Sequence, residues 1–192
     1  LTPIHETDAA GNTQAAKKKP TFFQELLSWS TYILGGFLLA WVLSNTLIVN
    51  AAVTSESMEK TIMTNDRIGG LRTAYLFSEP EQGDIIVFTN PKNAEDDPYI
   101  KRIIGLPGDT VTILDNLVYI NGATEPLDEP YLPEPMETAD GEYTVPEGHY
   151  FVMGDNRNRS EDSRFLDKMF IPREDILGKA YFVWFPSPRL LQ

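Results

Sequence analysis

Twenty consecutive residues, Ser30 to Val49, carry no charge. As a helix at about 1.5 Å per residue they reach roughly 30 Å, one bilayer hydrocarbon core. Trp29 and Tyr32 stand at one end of the run, where amphipathic rings favour the headgroup layer. Lys17, Lys18 and Lys19 precede it, while Glu56 and Glu59 mix with Lys60 after it. The positive-inside rule then predicts a cytoplasmic tail over 1–20, an anchor helix over 21–50 and an extracytoplasmic domain over 51–192. Two other readings compete, a cleaved secretory signal and a buried core helix. A signal's apolar region is shorter, about 7–15 residues, and ends in a small-x-small exit. Asn50-Ala51-Ala52-Val53 is only a weak version of that exit.

Beyond Asp66 the pattern changes to short apolar runs between turn residues. Gly83–Phe88, Tyr99–Gly105, Asp109–Leu114, Leu117–Ile120, Tyr150–Met153 and Gly178–Phe185 are rich in Ile, Val, Tyr and Phe and read as strands. Pro107-Gly108 and Asn121-Gly122 mark turns, and Arg173–Ile176 reads as one helical turn. No long amphipathic helix follows the span. The expected fold is therefore an all-β barrel- or sandwich-like domain with one N-terminal transmembrane helix. Residues 125–147 stand apart, with five prolines, eight acids and no Lys or Arg, and read as an exposed loop excursion rather than a partner-binding surface.

Composition excludes several classes of function. A net charge of −12 repels nucleic acid phosphates. Cysteine is absent, which removes disulfides, thiolate nucleophiles and thiolate metal sites. Only His5 and His149 are present, too few for a histidine-rich metal site. His149 opens a predicted strand and is read as structural or exposed rather than as a catalytic base.

What chemistry remains centres on Thr54-Ser55-Glu56-Ser57-Met58-Glu59-Lys60-Thr61, just past the span. A serine needs a base to take its proton. Lys101, among Tyr99, Ile100, Ile103 and Ile104, is the best candidate. A free lysine amine has a pKa of about 10.4, but burial lowers it by as much as 3–5 units and leaves a neutral base near pH 7. Strand alternation puts Lys101 and Arg102 on opposite faces. A third stretch, Gly154-Asp155-Asn156-Arg157-Asn158-Arg159-Ser160-Glu161-Asp162-Ser163-Arg164, is dense in charge and by composition alone reads as a solvated turn.

Together these stretches resemble bacterial type I signal peptidases. The shared features are Ser-x-Ser-Met-x-x-Thr after an N-terminal anchor, Gly-Asp-Ile-Ile-Val-Phe, Lys-Arg-Ile-Ile-Gly-Leu-Pro-Gly-Asp, and Gly-Asp-Asn-Arg-x-x-Ser-x-Asp-Ser-Arg, in that order. The resemblance implies an all-β catalytic core with a short excursion over residues 116–142, as in Gram-positive members. It implies Ser57 as nucleophile and Lys101 as general base. Ser55 would join the oxyanion hole and Ser160 would orient the lysine amine. Met58 matches the methionine beside the nucleophile. Asp162, Arg164 and Arg102 match an ion-pair group beneath the site, with Asp155 in the same supporting shell. The implied substrates are preprotein signal peptides with small residues before the cut, with the bilayer and the secretion machinery as neighbours and no metal or cofactor.

One stretch departs from the family pattern Pro-Ser-Gly-Ser-Met-x-Pro-Thr, because Thr54, Glu56 and Lys60 replace proline, glycine and proline. A side chain at Glu56 is expected to strain the loop if glycine's freedom is needed there, and its carboxylate to disfavour an oxyanion, lowering activity without abolishing it. Two rival readings keep the fold, a membrane-tethered non-catalytic binding module and a self-cleaving Ser–Lys protease.

Overall fold

The computed structural model describes residues 21–191. The tail expected over 1–20 lies outside the described residues. The first element is a helix, α1 (Phe22–Leu47). Its stretch Glu25–Leu47 has a mean hydropathy of 1.7 with none of its apolar window buried, and is long and apolar enough to cross a membrane. Hydroxyls within it bond to the helix itself: Ser30 and Thr31 donate to Leu27 O, at 2.8 and 2.9 Å, and Thr46 to Val42 O at 2.9 Å. That satisfaction is what an apolar medium demands of a polar group.

At Ile48 the helix gives way directly to strand. The sequence reading ran the apolar span on to Val49, but β-branched Ile48 and Val49 open β1 (Ile48–Ala52), which pairs with β2 (Arg67–Leu71). The other strands are β3 (Ile85–Phe88), β4 (Tyr99–Gly105), β5 (Thr110–Leu114), β6 (Leu117–Ile120), β7 (Gly141–Thr144), β8 (His149–Met153), β9 (Ile171–Pro172), β10 (Ile176–Phe185) and β11 (Arg189–Leu190). They form an antiparallel sheet in the order β1-β2-β10-β3-β4-β8-β9, with β11 on β10, and a small sheet in the order β6-β5-β7. The all-β expectation holds. The helical turn read at Arg173–Ile176 is a 3₁₀ turn over Arg173–Asp175.

Strand β2 went unread because Gly69 and Gly70 weaken its apolar signature. Both glycines answer to close approach rather than to turn geometry. A Cβ on Gly69 would sit 2.6 Å from the Phe182 ring, and one on Gly70 would overlap the Lys179 carbonyl of β10.

Apolar clusters fix β4 on both faces. Ile85, Val87 and Ile100 pack with Met58 and Ile62, while Ile86, Phe88 and Ile103 pack with Tyr150 and Val152. Full burial of each such side chain contributes roughly 1.5–3 kcal/mol. Lys101 is thereby held mid-strand, opposite Ile86 of β3.

The acidic, proline-rich segment differs from the solvated loop its composition suggested. Gly141–Thr144 pairs with β5, Met136 is 2% exposed, and Glu129 forms an ion pair with buried Arg157. The other seven acids of the segment are exposed, as the composition suggested.

Candidate active site

Ser55, Ser57 and Lys101, all named from the sequence, meet at one place. The Ser57 turn follows β1, and backbone bonds within it close it: Glu59 N–H donates to Glu56 O (3.1 Å) and Ile62 N–H to Met58 O (2.7 Å). Met58 and Ile62 anchor the turn in the core at 1% and 0% exposure. Ser57 is thus held at the surface of a packed base, with its Oγ toward β4.

Lys101 Nζ donates to Ser57 Oγ at 2.6 Å, with both residues buried. Ser55 Oγ lies 3.2 Å from Ser57 Oγ. The Lys101 amine also lies 5.4 Å from the ring centroid of Tyr99, its same-face neighbour on β4. Burial pushes the Lys101 pKa down from 10.5 to about 8. Asp162, Glu161 and Asp155 pull it back up, and Arg164 adds to the fall. Desolvation wins because it acts directly on the ammonium, whereas Asp162 and Asp155 are already engaged by arginines and Glu161 by Lys92.

The third stretch forms the floor. Asp155 takes two bonds from Arg102, Nε to Oδ1 at 2.9 Å and a terminal nitrogen to Oδ2 at 2.8 Å. Thr61 Oγ1 donates to the same carboxylate at 2.5 Å, and Asp155 N–H points at Met58 Sδ at 3.4 Å. Asp162 pairs with Arg164 through bonds of 2.8 and 2.9 Å and accepts Gly154 N–H at 3.0 Å. So the ion-pair group splits into two buried pairs, Arg102–Asp155 and Arg164–Asp162. Ser160 is 7% exposed, and its hydroxyl has no hydrogen-bond partner among the described residues.

Sequence reasoning passed over Asn156. Its N–H donates to Ser57 O at 3.0 Å and its side-chain amide to Glu56 O at 3.1 Å. This residue stitches the Ser57 turn to the floor, and although it belongs to the Gly-Asp-Asn-Arg motif, nothing in the sequence tied it to Ser57. Arg157, buried and paired with Glu129, went unassigned for the same reason. His149 lies away from the cluster, with Nδ1 2.9 Å from Glu147 O.

Glu56 is held by an arginine rather than by either serine. Its carboxylate pairs with Arg159 at 2.6 Å, both side chains about half exposed or more. Its φ is not positive, so this backbone does not require glycine at 56. Lys60, by contrast, has φ +78°, a value that no proline can adopt.

A groove of about 460 Å³ opens onto Ser57 and Lys101. Val53, Met58, Ile62, Tyr99 and Ile100 give it apolar walls, and Asp96, Asp97, Arg159 and Glu161 line it with charge. Among the described residues no cluster of three or more His, Asp or Glu is suited to a metal ion. A buried amine bonded to a serine hydroxyl beside a groove of mixed apolar and charged lining suits acyl transfer from an extended peptide.

Comparison with known proteins identifies the family. The family described as "Signal peptidase, peptidase S26" matches residues 26–185. A "Probable signal peptidase I-2" of Synechocystis sp. is 43% identical over 143 residues, which is 72% of this chain and 63% of that relative. A "Signal peptidase I" of Bacillus amyloliquefaciens is 37% identical over 183 residues, covering 90% of this chain and 95% of its own. A crystal structure of a signal peptidase I from Enterococcus faecalis shares 39% identity over 53% of this chain and 97% of that one, with a TM-score of 0.46. The chain is a member of the signal peptidase family, peptidase S26.

Proposed function

We propose that this membrane-anchored protein is a serine endopeptidase that removes N-terminal signal peptides from exported preproteins, with Ser57 as nucleophile and Lys101 as general base. The observation that carries the reading is the 2.6 Å bond between a buried lysine amine and the serine hydroxyl. Neutral Lys101 takes the Ser57 proton as Oγ attacks the carbonyl at the cut. The Ser57 N–H and the Ser55 hydroxyl hold the oxyanion, each such donor being worth about 100- to 1,000-fold in rate. The Lys101 ammonium then protonates the leaving amine, and the neutral amine activates water to hydrolyse the acyl-enzyme. Met58, Asp155, Asp162, Arg164 and Arg102 support the dyad from below, while Ser160, expected to orient the Lys101 amine, makes no bond to it.

The groove, with Val53, Met58, Ile62 and Ile100 among its walls, accepts an extended chain end with small residues before the cut. Lys17–Lys19 ahead of the span support a cytoplasmic N-terminus and a catalytic domain on the far side of the bilayer. In that orientation the catalytic domain is on the side of the bilayer to which preproteins are exported.

The test is cleavage of a model preprotein in detergent or lipid by wild type, Ser57→Ala and Lys101→Ala, followed across pH. Both variants are expected to be inactive. Because only the neutral amine acts as base, wild-type kcat/KM is expected to rise with pH through an apparent pKa of about 8. Cleavage by Ser57→Ala at the wild-type rate refutes the reading.

A further inference from the structure

The Ser57 turn ends on a residue that ill suits its backbone. Lys60 sits at φ +78°, a region side chains rarely adopt outside glycine and asparagine. Its amine compensates by reaching out of the turn to donate to Pro130 O at 2.9 Å and Leu132 O at 2.8 Å. Those carbonyls are preset, since Pro130 and Pro133 fix φ along the segment that carries them. That segment is itself pinned at the far side. Glu129 engages two nitrogens of buried Arg157, and Tyr131 Oη donates to Glu129 at 2.7 Å. The Tyr131 ring stacks 4.0 Å from the guanidinium of Arg102, the strand neighbour of Lys101.

One short piece of chain therefore touches both halves of the site. It holds the end of the serine's turn through Lys60, and it leans on the arginine beside the base through Tyr131. We propose that residues 129–132 and Lys60 form a brace that fixes Ser57 relative to Lys101, which makes Lys60 a positioning residue. The inference rests on the reading of Ser57 as nucleophile. Displacement of a reacting group by about 1 Å costs as much as about 100-fold in rate, so a partial loosening of the turn is expected to cost about ten-fold. Asn156 holds the turn's near end and is untouched by changes at Lys60.

The experiment compares full-length wild type, Ser57→Ala, Lys60→Met, Lys60→Arg and Lys60→Gly in detergent on one peptide with small residues before the cut. Amide hydrogen exchange over residues 56–62 and Tm are measured on the same samples. Lys60→Met is expected to lose about ten-fold in kcat with KM and Tm unchanged and faster exchange in the turn. Lys60→Arg, which keeps the donors, is expected to retain activity. Lys60→Gly is expected to lose as much as Lys60→Met although glycine suits the backbone. Full activity in Lys60→Met, or recovery in Lys60→Gly, overturns the brace. An inactive wild type counts against Ser57 as nucleophile instead, and unchanged exchange in Lys60→Met then still overturns the brace.

Discussion

Replacing Lys101 by methionine should abolish cleavage and stabilise the fold at neutral pH. The amine's fall from 10.5 to about 8 means that a charged Lys101 is carried at a cost, about 3 kcal/mol at about 1.4 kcal/mol per pH unit. The sign follows from proton binding. Between pH 8 and 10.5 the unfolded chain binds more protons at this site than the folded one, so stability rises with pH across that window. Below pH 8 both states are protonated and the folded state bears the whole cost. Above 10.5 both are neutral and the cost is gone.

Methionine keeps the length and apolar stem of lysine and removes this penalty, but it also removes the bond to Ser57 Oγ, worth about 1 kcal/mol. Ser57 keeps Ser55 Oγ at 3.2 Å. The net expectation is a variant about 2 kcal/mol more stable at pH 7, with the advantage shrinking upward in pH and reversing near pH ~10. For a domain of this size that is a rise of about 6 °C in Tm at pH 7. Differential scanning fluorimetry of both proteins in one detergent, from pH 6.5 to 10.5, reads the difference directly. A gap that stays constant across that range refutes the account of Lys101 as a desolvated amine.

Two further outcomes follow from the site's packing. Gly154→Ala places a Cβ against Ser57 O and Ser160 Oγ; because Ser57 O is backbone, the nucleophile turn must move, and kcat is expected to fall by about 100-fold. Arg159→Ala frees the Glu56 carboxylate beside the oxyanion and is expected to lower kcat/KM several-fold at low salt, with Glu56→Gln restoring it in the double variant and Glu56→Gly alone staying within about two-fold of wild type, since its charge is already matched.

The chemistry was more legible in the chain than the scaffold that holds it. Ser57 and Lys101, which the fold joins by a 2.6 Å bond, were legible because that chemistry is tied to residue type, and β4 was bounded as Tyr99–Gly105 because Tyr99, Ile100, Ile103 and Ile104 flank Lys101 and Arg102 with strand-forming residues up to Gly105. Strand β1 was absorbed into the membrane span, since Ile48 and Val49 serve either environment and only their pairing with Leu71 and Gly70 decides. Strand β2 was lost for the opposite reason, its glycines recording the approach of β10 rather than any local preference. The acidic segment misled because composition reports charge without its partner. Glu129 reads as solvated until Arg157, far along the chain, is placed against it. The family pattern likewise overstated the demand for glycine at Glu56, whose φ any residue can adopt.

Base and nucleophile are also mounted unequally. Lys101 lies in a strand with neighbours on both sides, β3 and β8, whereas Ser57 lies in a turn held mainly by side-chain contacts, from Asn156, Thr61 and Lys60. Backbone bonds in an interior strand open only with the whole sheet, while those in a turn open locally. On warming, the serine should therefore drift from the amine while the sheet is still intact. Catalytic competence then fades at a lower temperature than the fold itself and returns on cooling, so that heat acts on this protein first as a reversible off-switch and only later as a denaturant.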